Sequence, residues 1–277
     1  MSRSIAERRA EFRRLHETGC FALPNPWDVG SARMLQHMGF KAVASTSSGY
    51  AWSTGRMDHA VDRADMLRHL ESLCAAIDLP VNADFESGFA VDAAGVAESV
   101  ALAIGTGVAG LPIEDHDRET KGRLYDLPTA VERIRAARAA IDRSGQDVIL
   151  VARTEGLLAD PRALKPAIDK LVAFAEAGAD CLYAPGVKDK ADIATIVRAV
   201  SPKPVNVLAL RPWLTLAEFA DLGVRRISIG GALARVAWRA MIDAAERIKA
   251  GSFDALDGGI AGTEVNDIFR AFPPTSS

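Results

Sequence analysis

Three carboxylates carry the first chemical signal. Asp84, Glu86 and Glu114 stand at or just beyond the ends of two short apolar runs, LPVNAD at 79–84 and VAGLPIE at 108–114. If those runs are neighbouring strands, the acids converge, and burying like charges without a cation is strongly unfavourable. Oxygen-only ligation of that kind selects a hard ion, Mg2+ or Mn2+. The competing reading has the acids cap the following helices or pair with Arg153, which ends DVILVAR at 147–153. No histidine ends a run, which argues against zinc. Lys41 and Lys203 open runs and no lysine closes one, which disfavours a Schiff-base mechanism.

The same positions elsewhere in the chain supply further candidates. They are Asn25 and Asp28, the stretch Ser45 to Gly49 including Ser47 and Ser48, then Asp115, Glu155, Asn206 and Gly230-Gly231. Trp27 and Asp28 are expected to shape a pocket floor, with Asp28 also capping the next helix. Asn206 either hydrogen-bonds a substrate or satisfies a buried backbone group. Gly230-Gly231 suits a carboxylate or phosphate at a helix N-terminus. His116, beside the acids, either shuttles protons or is simply solvated.

These residues need a frame that brings strand ends together. Eight apolar runs recur, at 21–24, 41–46, 79–84, 108–114, 147–153, 180–185, 203–209 and 225–230. Segments with helical spacing lie between them, among them 91–103, 130–141, 164–175 and 191–200. Continuously apolar strands imply burial on both faces, as in a parallel sheet wrapped by helices. Eight such units in 277 residues match a (β/α)8 TIM barrel. A doubly wound open sheet would show a Gly-rich loop after its first strand, where this chain has Asn25-Pro26-Trp27-Asp28. An extra N-terminal helix carries Ile5, Phe12 and Leu15, and C-terminal helices are expected at 232–248 and 263–272. The chain thus reads as one domain, 1–277, with a helical extension from about residue 232 and a frayed tail, PPTSS.

Composition excludes several classes. A net charge of -3 gives no field for nucleic acid or an anionic membrane. Cys20, Cys74 and Cys181 are odd in number and widely spaced, so neither a disulfide framework nor a zinc site is expected. The charged N-terminus lacks a signal sequence and no stretch is long enough to span a bilayer, so a cytoplasmic protein is expected.

The ordered set TSSGYAWSTGRMD (46–58), PVNADFESGF (80–89), GVAGLPIED (107–115), VARTE (151–155), EAGADCLYAPG (176–186) and PVNVLA (204–209) resembles the isocitrate lyase and phosphoenolpyruvate mutase superfamily. The resemblance spans about residues 19–240. It implies a Mg2+ ion held directly by Asp84, with Asp58, Glu86 and Glu114 reaching it largely through water. It further implies that the turn Ser48-Gly49-Tyr50 offers backbone N–H groups to a 2-oxo acid, and that Arg153 binds substrate carboxylate. A cation and aligned donors would stabilise a pyruvate-like enolate, the species that C–C or C–P cleavage beside a keto acid must form. In the superfamily the last barrel helix packs on a neighbouring subunit, which implies a homodimer or homotetramer. Here Leu233, Val236, Trp238 and Met241 mix with arginines on that helix.

The departures narrow the activity. The lyases carry a Lys-Cys-Gly-His signature after strand four, whose cysteine protonates the departing carbon acid. This chain has DHDRETKGRLYDLP at 115–128, without cysteine, which argues against classical isocitrate lyase activity. The phosphonate-acting members have a lysine followed by Asn-Ser, whereas Lys121 precedes Gly122-Arg123. The loop His116 to Asp126 is expected to be mobile when empty and to bring Arg118, Lys121 and Arg123 over an anionic substrate, with Lys121 as a catalytic candidate; the competing reading is a solvated loop whose charges only repel aggregation. The expected function is a Mg2+-dependent lyase or hydrolase acting on a small 2-oxo or 2-hydroxy dicarboxylic acid. The alternatives are a phosphonopyruvate-acting mutase or hydrolase and a binding protein that has lost turnover.

Overall fold

Strands form where the apolar runs were continuous: β1 (Phe21–Leu23), β2 (Val43–Ala44), β3 (Val81–Asn82), β4 (Gly110–Glu114), β5 (Ile149–Arg153), β6 (Cys181–Tyr183), β7 (Val205–Leu208) and β8 (Arg226–Ser228). The structure is a computed structural model and describes residues 3–120 and 122–272. Lys121 and the tail PPTSS lie outside the described residues. All ladders are parallel, in the order β1-β8-β7-β6-β5-β4-β3-β2. At the seam between the two ends of that order, Ala44 N–H donates to Pro24 O at 3.0 Å. Asn25 spans the same seam, donating from Nδ2 to Ser45 O at 2.8 Å and accepting from Ile229 N–H at 2.9 Å. One backbone bond and one side chain thus complete the (β/α)8 barrel.

Helices follow each strand: α2 (Val29–His37), α3 (Ser47–Ser53) with α4 (Arg63–Ala76), α5 (Ala93–Gly105), α6 (Leu127–Ser144), α7 (Gly156–Ala159) with α8 (Leu164–Glu176), α9 (Lys190–Val200), α10 (Leu216–Asp221) and α11 (Ala232–Lys249). Aspartates start several of them, with Asp28, Asp62, Asp92 and Asp126 capping α2, α4, α5 and α6 through N–H groups three residues on. That sorting matters, because it leaves Asp58, Asp84, Glu86 and Glu114 without a capping role.

The leading helix α1 (Ile5–Leu15) closes the bottom of the barrel with Phe12, fully buried against Phe21, Leu23 and Ile149. Its arginines are not merely solvated. Arg8 donates to Cys74 O and Ile77 O, and Arg9 to Ile104 O and Val108 O, supplying donors to the last carbonyls of α4 and α5. At the other end of the chain, α11 buries Ala234 alone, and a short 3₁₀ turn (Asp254–Gly258) leads to α12 (Gly262–Arg270). The outer face of β1 stays open at Ala22, beside an apolar groove of about 700 Å³ lined by Met34, Ile227, Leu233 and Phe269.

Candidate active site

Parallel register sets the central row. Glu114 on β4 pairs with Arg153 on β5, which pairs with Tyr183 on β6, so the three side chains stand abreast at the C-terminal rim. Arg153 donates from Nη1 to Glu114 at 2.9 Å and from Nε to Glu155 at 2.5 Å, and its guanidinium lies 5.0 Å from the centroid of the Tyr183 ring. Burial pushes the Glu114 carboxyl up, against the pull of Arg153. Burial works against the Arg153 charge too, but Glu114 and Glu155 outweigh it and hold the guanidinium well above its usual value.

Asp84 faces this row from the end of β3. Its Oδ2 accepts from both the N–H and the Oγ of Ser47, each at 2.8 Å, and its own N–H donates to Ser45 Oγ at 2.7 Å. Oδ1 is left toward the cavity, 3.9 Å from Arg153 Nη1. That cavity, about 230 Å³, is lined by Ser47, Ser48, Asp58, Asp84, Glu114 and Arg153. A polar chamber of about 40 Å³ lies beneath it, and Gly230 borders both.

Glu86 sits behind Asp58 and His59 in the left-handed region, at φ 48°. Its Oε2 accepts from Arg118 Nη1 at 2.6 Å and lies 3.4 Å from His59 Nδ1, whereas the buried Oε1 has no partner. Hydrogen bonding to Glu86 pushes His59 up to about 9, and burial raises Asp58. Among the described residues no three of His, Cys, Asp and Glu converge closely enough to cage an ion. The expected direct convergence of three acids is thus replaced, at Glu114, by the pairing with Arg153. Mg2+ keeps most of its waters and needs only one or two carboxylates. The cavity-facing Oδ1 of an oriented Asp84 and the orphaned Oε1 of Glu86 are oxygens that would suit such a largely hydrated, hard cation.

Several expected residues fall elsewhere. Gly49 and Tyr50 do not line the cavity: Gly49 N–H donates to Thr46 Oγ1 at 3.2 Å and Tyr50 N–H to Thr46 O at 3.0 Å, so both donors are used in the first turn of α3. A Cβ on Gly49 would lie 2.6 Å from Thr46 Cγ2 and 3.0 Å from Trp27 Cβ, so this glycine serves close packing. The Tyr50 ring stacks on His69 at 3.9 Å. Trp27 and Asp28 line the outer apolar groove rather than the pocket floor, because Asp28 is fixed as the α2 cap. Asn206 is buried and used structurally, donating to Ser228 Oγ at 3.0 Å and accepting from Arg226 Nε at 2.9 Å.

Among the described residues, the loop after β4 makes several contacts with the barrel rim. Arg118 reaches Glu86 and Val61 O and stacks on Phe89, while Asp117 is buried and accepts from the N–H groups of Glu119 and Thr120. Arg123 pairs with Asp117 at 3.7 Å and does not line the cavity. His116 stacks on His59 with ring centroids 5.5 Å apart. Asp115 is fully buried on Lys170, Thr154 and the Glu155 N–H. His59, Tyr183 and Lys170 were not singled out in the sequence.

Residues 12–249 match the family model for phosphoenolpyruvate phosphomutase. The chain belongs to the phosphoenolpyruvate phosphomutase family. A 2-methylisocitrate lyase of Escherichia coli is 30% identical over 234 residues, covering 80% of this chain and 76% of that protein. A Burkholderia cenocepacia protein, provisionally assigned as a lyase/mutase, is 44% identical with a TM-score of 0.93, covering 96% of this chain and 97% of that one. Oxaloacetate acetylhydrolase in complex with its product oxalate is 26% identical with a TM-score of 0.86, covering 95% and 94%. Members of this phosphomutase family and its superfamily are carbon–carbon lyases and hydrolases and mutases, and this chain is an enzyme of that type. As for membranes, no helix among the described residues is long and apolar enough to cross one.

Proposed function

We propose that this family member is a Mg2+-dependent lyase or hydrolase that cleaves a C–C bond in a small 2-oxo or 2-hydroxy dicarboxylic acid through a pyruvate-like enolate, Mn2+ serving as a substitute ion. The observation that carries the reading is the meeting of Asp84 Oδ1 with the Arg153 guanidinium across the cavity, 3.9 Å apart. A divalent ion bound at Asp84 would stabilise negative charge on the enolate oxygen. Two donors from Ser47 hold Asp84 in one orientation, so the carboxylate needs no reorganisation. Arg153 stays cationic between Glu114 and Glu155 and binds the substrate carboxylate. Ser48 supplies a hydroxyl donor on the same wall, the Ser47 hydroxyl proton being committed to Asp84. The loop at 115–128 lacks the Lys-Asn-Ser pattern of the phosphonate-acting members, which supports C–C over C–P cleavage.

Oxaloacetate, 2-methylisocitrate, oxalomalate and phosphonopyruvate should be assayed with Mg2+ and with EDTA. The expected result is EDTA-sensitive cleavage of one of the first three. Asp84→Asn, whose amide oxygen can still accept from Ser47, should keep the fold while losing divalent-ion binding by calorimetry. Tight binding of these acids without turnover of any would instead identify a binding protein.

A further inference from the structure

The cavity over Asp84 has two arginines on its lining, and they are in different states. Arg153 is already compensated by Glu114 and Glu155. Arg235 lines the same cavity, yet its guanidinium makes no hydrogen bond or ion pair among the described residues. Arg239, one turn further along α11, is exposed like Arg235 but is paired with Asp243 and lies 3.8 Å from Glu246. Local acids on this helix therefore serve Arg239 and leave Arg235 open.

The backbone position of Arg235 is fixed by close packing. A Cβ on Gly231 would lie 2.8 Å from Trp52 Cζ3 and 2.9 Å from Ser48 Oγ, so the backbone at the start of α11 rests directly on the Ser48 wall of the site. Arg235 N–H then donates to Gly231 O at 3.0 Å, which ties its residue to that contact by one helical turn. A substrate carboxylate bound at Arg153 still leaves a dianion with a second charge to place. Arg235, planar and with its donors unspent, suits that charge by a bidentate, charge-assisted pair.

We propose that Arg235 binds the distal carboxylate of a 2-oxo dicarboxylate and is the residue that makes this site prefer dianions over monoanions. The assignment rests on the function proposed above. It is tested by calorimetry in Mg2+ with 3,3-difluorooxaloacetate, whose fluorines block enolisation, against its one-carboxylate counterpart 3,3-difluoropyruvate. Wild type should prefer the dicarboxylate. Arg235→Met should reduce the ratio of the two affinities by about tenfold or more, in keeping with the loss of a hydrogen-bonded charge pair. Arg235→Lys should retain part of that ratio, and thermal melts of both variants should superimpose on wild type because the side chain is exposed. An Arg235→Met protein with the wild-type ratio, or a wild type without preference, overturns the assignment and leaves the proposed function standing. A wild type that binds neither probe overturns both.

Discussion

Lys170→Met should destabilise the protein far more than the loss of one lysine suggests. Asp115 is fully buried, and three donors hold it: Lys170 Nζ at 2.6 Å, Thr154 Oγ1 at 2.8 Å and Glu155 N–H at 2.8 Å. Lys170 also donates to Tyr125 O at 2.8 Å, so one ammonium joins the far end of the β4 loop to Asp115 at the end of β4. Methionine fills similar space but leaves a buried carboxylate without its counter-charge and a carbonyl without its donor. Breaking a buried pair from one side costs roughly 3–5 kcal/mol. Two surviving hydrogen bonds to Asp115 place the expectation near the lower end, about 3 kcal/mol. For a chain of this size that corresponds to a fall in Tm of about 6–12 °C. Urea unfolding followed by circular dichroism should show a lower midpoint with an unchanged slope. Adding Asp115→Asn should recover part of the loss, since the stranded charge is then gone. A single-variant cost below about 1 kcal/mol, the value of a surface pair, would refute the reasoning. Because the Glu155 N–H is held by Asp115 and the Glu155 carboxylate holds Arg153, kcat/KM on the true substrate should fall as well.

Two further outcomes follow from groups outside the cavity. Burial depresses His69 to about 4, and burial together with Arg226 depresses His16 to about 3. The unfolded chain, with histidines near 6.5, therefore binds more protons than the native one in between. The stability these groups contribute is present above about pH 6.5 and should be lost as pH falls toward 4. His69→Phe keeps the stack on Tyr50 and removes an Nε2 that has no partner, so a denaturation series should show a shallower acid decline; an unchanged slope would contradict the assignment. The second concerns assembly, which we propose to be a homodimer or homotetramer. Trp238, Met241 and Ile242 are exposed on α11, and the groove beside Ala22 is apolar and open. Trp238→Glu should shift sedimentation toward a smaller species, and a wild type that sediments only as 29.5 kDa at micromolar concentration would count against assembly.

The barrel was legible because its strands announce themselves. VAGLPIE and DVILVAR are continuous apolar runs, and both become strands with the acid and the arginine at adjacent ends. Tyr183, in DCLYAP, reads as core by the same rule, and nothing but the register beside Arg153 shows that it borders the site. Lys170 lies on an amphipathic helix where a solvated lysine is ordinary, and Arg235 is one of several charges on α11. His59 follows a glycine-containing turn in a left-handed conformation, φ 63°, that composition does not signal. Asp28 and Asp84 make the distinction sharpest. Both are aspartates just after a strand, and both accept an N–H at hydrogen-bond distance. The donor for Asp28 is Ser31, three residues on in the helix it starts, at 2.7 Å. The donors for Asp84 come from Ser47, 37 residues away at the start of α3, the helix that follows the neighbouring strand. A donor supplied locally satisfies the carboxylate as part of its own helix. One supplied from a distant segment fixes it across the barrel mouth with an oxygen still facing the cavity, which is what the proposed ligand role of Asp84 requires and a helix cap does not.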